Sequence, residues 1–180
     1  MERRTAARFF TPRRVARVAI LVALSAVGAF IKIPSPTGTV ALDSAPGWLA
    51  AYAFSPVEGS IVGALGHLVS ALSTGFPLGL PVHLLVAVEM AVFVAVFGLL
   101  ARKVSIWLAI PVGIVLNGVG GAAIMIPIGG VGMFVSLVLP LTVGAAINIV
   151  IAAAAGRVLK AAGLAAADEK GGRGKQEKSA

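Results

Sequence analysis

The sequence contains no cysteine, a single tyrosine and only seven acidic residues among 180. Without cysteine there are no disulfides, no thiol nucleophile and no thiolate metal ligand, and the redox compartment cannot be read. Charged residues make up 12% of the chain against 58% hydrophobic ones, too few to water the surface of a soluble domain. Familiar catalytic patterns are missing too. There is no G-x-x-x-x-G-K-[S/T] loop, no H-E-x-x-H and no G-x-S-x-G, so neither ATP cradling in the usual loop nor the common hydrolase arrangements have a footing. Two histidines sixteen positions apart with one glutamate are too sparse to specify a metal site, and the residues imply no cofactor and no catalytic residue.

What is present is long apolar runs. A helix needs about 20 apolar residues to cross a hydrocarbon core of roughly 30 Å, and this chain has room for several. The fold expected is all-α: an integral membrane bundle of six transmembrane helices near 14–32, 43–54, 57–74, 82–101, 104–126 and 133–159. The second is short for a crossing, so a re-entrant hairpin over 43–74 with four crossings is the alternative. The turn Ser55-Pro56-Val57-Glu58-Gly59 favours six, because it sets a charge at an interface. The first run is long and followed by proline, so no cleavable signal is expected. One transmembrane domain over 1–160 is expected, with a basic segment at 1–13 and a polar, disordered tail at 161–180.

The net charge of +8 would suggest nucleic acid in a soluble protein, but its placement here is topological. Basic residues gather before residue 18, at Arg102 and Lys103, and from Arg157 to Lys178. Cytoplasmic loops collect lysine and arginine, so both termini and the Arg102 turn are expected inside, in the plasma membrane, with no role in nucleic-acid binding.

Ionisable residues inside spans face a cavity or a partner, because lipid exposure is costly. Asp43, His67, His83, Glu89 and Asn117 fall in the outer half of the expected bundle. His67 flanks a small-residue stripe, Gly59, Gly63, Gly66 and Ser70, and either bonds a neighbouring helix or meets a ligand. Glu89 either pairs with His67 or bonds a substrate. His83 and Glu89 stand about 120° apart on a helix, too far to line one narrow wall. Trp48 and Tyr52 read as interfacial anchors or as a stacking wall for an aromatic ligand, with Asp43 accepting hydrogen bonds from ligand hydroxyls or capping the helix that follows. Asn148 reads as helix-packing glue.

Three stretches carry a resemblance: ALSAVGAFIKIPSPTGTVALDSAPGWLAAYAF (23–54), SPVEGSIVGALGHLVSALSTGFPLGLPVHLL (55–85) and the Gly/Asn-rich later spans. Together they resemble the S component, the substrate-binding membrane subunit, of energy-coupling factor (ECF) vitamin transporters. The resemblance implies a six-helix bundle that binds a vitamin or precursor from outside. Its implied partners are a transmembrane coupling subunit and two cytoplasmic ATPases, and it would release substrate by toppling in the membrane. The family's A-x-x-x-A face for the coupling subunit matches Ala19 and Ala23. The segments ALDSAPGW, GHLVSAL and GFPLGLPVHLL look closest to the branch taking alpha-ribazole and related cobalamin precursors; riboflavin or pyridoxine would satisfy the same inventory. Two other classes stay open at this point: a membrane-embedded hydrolase using Glu89 and His67, and an accessory subunit without a ligand.

Overall fold

A computed structural model describes residues 11–36 and 40–165 of the chain. Most of the basic segment 1–13, and the expected tail from residue 166 onward, lie outside the described residues. Helix α1 spans Pro12–Gly28. It starts where Thr11 accepts a hydrogen bond from the Arg14 amide at 3.4 Å with a proline in the first turn, the usual chemistry of a helix start. It stops four residues short of the expected end. Gly28 packs so closely on the Leu42 carbonyl that a β-carbon there would collide with it. The chain then folds back as a strap, with the Ile33 amide bonded to the Val40 carbonyl and the Leu42 amide to the Ile31 carbonyl.

Helix α2 spans Ala45–Ala53, nine residues, which at 1.5 Å per residue is about 14 Å and too short to cross a bilayer. Its apolar residues wrap its whole circumference, the mark of a helix enclosed by protein. Trp48, Ala50, Ala51 and Ala53 are all fully buried. Non-helical backbone at such a depth is tolerated where protein encloses it and its polar groups are paired, and the strap supplies that pairing.

Helix α3 spans Pro56–Ser73, capped by the Ser55 hydroxyl, which accepts from the Glu58 amide at 3.1 Å. Its small-residue stripe does what such stripes do between helices: Gly59 meets Ala51, Gly63 faces Val94 and Gly66 faces Ser25. Ser60 adds a hydrogen bond to the Ala91 carbonyl at 2.8 Å. Helix α4 spans Leu80–Lys103 and ends on two basic residues, favourable beside free helix-end carbonyls. Arg102 also donates to the Phe54 carbonyl at 3.1 Å, at the end of α2.

Helix α5 spans Ile106–Ala123, interrupted by a π-helical turn at Leu116–Gly120. Helix α6 spans Ile126–Ala161, broken at Gly130, whose backbone sits at φ 73°, a left-handed conformation that favours glycine. The glycine-rich 128–132 segment is therefore the entry of α6. Among the described residues the protein is all-helical, and α4, α5 and α6 are each long and apolar enough to cross a membrane. The core is centred on α2, where Trp48 packs edge-on against Phe97 with ring centroids 5.2 Å apart. Exposed Ile20, Val27, Leu72, Val88, Leu139 and Val150 make an apolar exterior suited to lipid rather than water.

Candidate functional site

At the end of the bundle holding the strap, the start of α2 and the α3–α4 connection, a cavity of about 110 Å³ opens. That is room for considerably more than one water. Its walls are largely apolar, formed by Val86, Met90, Met125, Leu137 and Leu141, with a few convergent polar groups: Asp43, His67, His83, Glu89, Asn117 and Asn148. Apolar walls with few polar groups are the usual make-up of a small-molecule site. Five of the seven residues expected to meet a ligand thus converge on one cavity.

The other two do not. Trp48 is fully buried in the core, its indole N–H donating to the Ser44 hydroxyl at 3.2 Å. Tyr52 lies at the opposite end of α2, with the Lys160 ammonium 4.0 Å from its ring centroid. They are one turn apart on a helix enclosed on every side, so neither is an interfacial anchor facing lipid and neither lines the cavity. The aromatic ring beside the polar cluster is Phe76, in the α3–α4 connection, edge-on to His83 with centroids 5.6 Å apart. Its backbone is held at φ 52°, an uncommon conformation for a bulky residue.

The expected His67–Glu89 pair is not formed. His67 Nε2 instead hydrogen-bonds His83 Nδ1 at 3.2 Å, one ring donating and the other accepting. His83, only 2% exposed, leaves its Nε2 without a partner, and Glu89, 6% exposed, does the same with Oε1. Buried polar atoms are nearly always satisfied, so two orphans in one cavity mark places where a ligand can bond. The narrow-wall argument also fails. His83 and Glu89 both line the cavity, because it wraps a broad arc of α4 between α3 on one side and α5 and α6 on the other.

Asp43 lies in the strap just before α2, and the Ser70 hydroxyl hydrogen-bonds it. It is not the cap of α2. Ser44 holds the cap position without a side-chain bond, and the Ala45 amide is taken by Asn148 Oδ1 at 2.8 Å. Asn148 also donates to the Ala41 carbonyl at 3.1 Å and the Gly144 carbonyl at 2.9 Å. One α6 amide thus fixes both the strap and the start of α2, which positions Asp43 over the cavity. The π-helical turn acts similarly for α5. Extra residues in a turn re-aim side chains, and such turns recur at functional sites; here the turn carries Asn117, and Gly121 just beyond it lies on the cavity wall.

A second feature, at the other end, went unread in the sequence. Glu58 is 2% exposed and receives Arg17 Nε and Nη2 at 2.7 Å each, with Arg14 Nε at 3.4 Å. The Arg17 guanidinium also lies 4.1 Å from the Phe54 ring centroid. The signal was the Ser55-x-x-Glu58 pattern, which marks a helix start but does not reveal that the glutamate turns away to pair with α1. Beside this cluster, a groove between α1 and α3 is lined by Val18, Ala19, Val22, Ala23, Ile61 and Leu65, so Ala19 and Ala23 lie together on an open apolar face.

A lipid-compatible helical exterior around a polar-tipped internal cavity defines a membrane protein built to hold a small molecule. Residues 13–156 match the family described as ECF transporter, substrate-specific component. The chain belongs to that family, whose members bind small-molecule substrates and work with an ECF transmembrane subunit and ATPases. No curated protein and no solved structure matches the chain.

Proposed function

We propose that this chain captures a vitamin or vitamin precursor from outside the cell in the Glu89–His83 cavity and delivers it through an ECF complex, and that the compound is alpha-ribazole or a related cobalamin precursor. The observation that carries the binding reading is the pair of unpartnered polar atoms, Glu89 Oε1 and His83 Nε2, in one largely apolar cavity. A benzimidazole would lie among Val86, Met90 and Leu141 with Phe76 near the mouth, while ribose hydroxyls bond Glu89, His83, Asp43 or Asn117. Trp48 and Tyr52, expected as stacking partners, have no part in this reading. Riboflavin and pyridoxine offer comparable rings and hydroxyls and are the alternatives.

Six crossings, the second made by the strap and α2 together inside the bundle, with both termini in the cytoplasm, in the plasma membrane, fit the charge distribution. Arg17, Arg102, Arg157 and Lys160 meet Glu58, the Phe54 carbonyl, Trp107 and Tyr52, all at the end away from the cavity. Basic residues on one side support a cytoplasmic assignment for that side. The α1–α3 groove bearing Ala19 and Ala23 is the docking face for the coupling subunit, to which the two ATPases attach, and toppling of the bundle on that subunit carries the ligand inward. A hydrolase built on a His67–Glu89 dyad finds no support, since His67 bonds His83 instead. Titration calorimetry of the purified chain with alpha-ribazole, riboflavin and pyridoxine tests the substrate. One-to-one binding of alpha-ribazole with the other two at least ten-fold weaker is expected, and preference for either of them would replace it.

A further inference from the structure

The lining of the cavity is one-sided in charge. Two carboxylates, Asp43 and Glu89, stand among imidazoles, amides and apolar side chains, and no lysine or arginine belongs to the walls among the described residues. Lys32, the basic residue of the strap, is exposed and outside that lining, and its charge acts on Asp43 rather than on Glu89. Arg14, Arg17, Arg102, Arg157 and Lys160 are engaged at the opposite end. The two imidazoles share one N–H···N bond, so the pair carries at most one positive charge beside two carboxyl groups.

The backbone at the start of α2 does not make up the deficit. Helix starts attract anions through free N–H groups, and two helices begin at this cavity. Yet the first amide of α2 is held by Asn148 Oδ1 at 2.8 Å, the Gly47 amide is bonded to the Ser44 carbonyl at 3.0 Å, and Pro46 in α2 and Pro81 in α4 carry no N–H. Asp43 already accepts from Ser70. Glu89 Oε1 is therefore the open acceptor, and what it lacks is a donor.

We propose that this cavity selects by charge: it takes an uncharged or cationic ligand that donates an N–H or O–H to Glu89, and rejects the same compound once it carries a phosphate. The proposal rests on the cavity being the ligand site, as argued above, and narrows the ligand class to nucleoside-like or basic heterocyclic compounds rather than nucleotides or carboxylate vitamins. An anion placed here would lose its water, find no lysine or arginine in the lining and face Glu89, and like charges brought together across a binding interface oppose binding.

The test uses matched pairs titrated into the full-length purified protein: alpha-ribazole, riboflavin and pyridoxine, each against its own 5′-phosphate. The uncharged member of at least one pair is expected to bind, with its phosphate weaker by about a hundred-fold or more. Binding by riboflavin or pyridoxine in place of alpha-ribazole would refute the substrate proposed above while leaving charge selection standing. A phosphate that binds within about three-fold of its parent, or binding of phosphates alone, would overturn charge selection, as would failure of every uncharged member. Glu89→Gln supplies a readout that stability cannot mimic. Loss of fold weakens both members of a pair equally, whereas loss of the charge should shrink the parent-to-phosphate ratio by about ten-fold, the scale of one charged contact. An unchanged ratio removes Glu89 from the mechanism.

Discussion

Gly121→Ala separates ligand binding from folding more cleanly than any other single change in this protein. Gly121 is helical, at φ −60° and ψ −38°, so alanine fits its backbone without strain. A β-carbon there would stand 3.4 Å from Glu89 Oε1, 3.7 Å from a Leu141 methyl and 3.9 Å from Asn117 Oδ1, all ordinary contacts. Replacing a helical glycine with alanine stabilises by about 0.4–1 kcal/mol, so the melting temperature should hold or rise slightly. The new methyl, however, occupies the approach to the open carboxylate oxygen. A hydrogen bond to a charged group is worth about 1.5–3 kcal/mol, so losing the ligand's bond to Glu89 should weaken affinity about ten- to a hundred-fold. Titration calorimetry and a thermal unfolding curve on the same preparation read both quantities. Unchanged affinity in a normally stable Gly121→Ala protein would refute the placement of the ligand against Glu89.

Three other outcomes are expected. Asn148→Ala strands the Ala45 amide and the Ala41 carbonyl, each costing about 1–3 kcal/mol when buried unpaired; thermal unfolding should register the loss, and proteolysis should reach the strap first. Arg17→Met leaves Glu58 buried with only the longer Arg14 and Ser55 contacts and should destabilise by about 3 kcal/mol, while the double variant Arg17→Met/Glu58→Gln should recover most of it; urea or thermal unfolding of both variants checks this, and equal losses would mean that the stranded carboxylate is not their cause. Ala19→Leu with Ala23→Leu fills the α1–α3 groove far from the cavity, so ligand titration should be unaffected while co-purification with the coupling subunit falls sharply; retained assembly would place the docking face elsewhere.

The helices were legible because apolar runs, proline-led starts and glycine-rich interruptions are local signals. Thr11-Pro12, Ser55-Pro56 and Gly79-Leu80-Pro81 each open a helix where the pattern suggested. The polar inventory of the cavity was legible for a similar reason: few ionisable residues occur inside apolar runs, so Asp43, His67, His83 and Glu89 could be listed without knowing the fold. Their pairing was not. His67 meets His83 rather than Glu89 because the α3–α4 connection brings the adjoining ends of those helices together, and sequence spacing is silent on how two helices are rotated. Trp48 and Tyr52 misled for a physical reason: an aromatic near a span end is the same residue whether its helix faces lipid or is enclosed, and the enclosure of α2 depends on neighbours from α1, α3, α4 and α6. Asn148, 103 positions from the amide it caps, could be recognised as packing glue from its small neighbours but not as the fixing point of the strap. The apolar lining, from Met90 to Leu141, has no signature separating cavity walls from lipid-facing positions.

The most direct test of the central claim is mass spectrometry of the small molecules released when the protein, purified gently from its membrane, is denatured, with Gly121→Ala protein prepared in parallel. One unphosphorylated heterocyclic compound, close to one per chain in the parent protein and depleted in the variant, is the predicted result. A parent protein that carries no small molecule and takes none up from a vitamin panel, or a compound retained equally by both proteins, would contradict it.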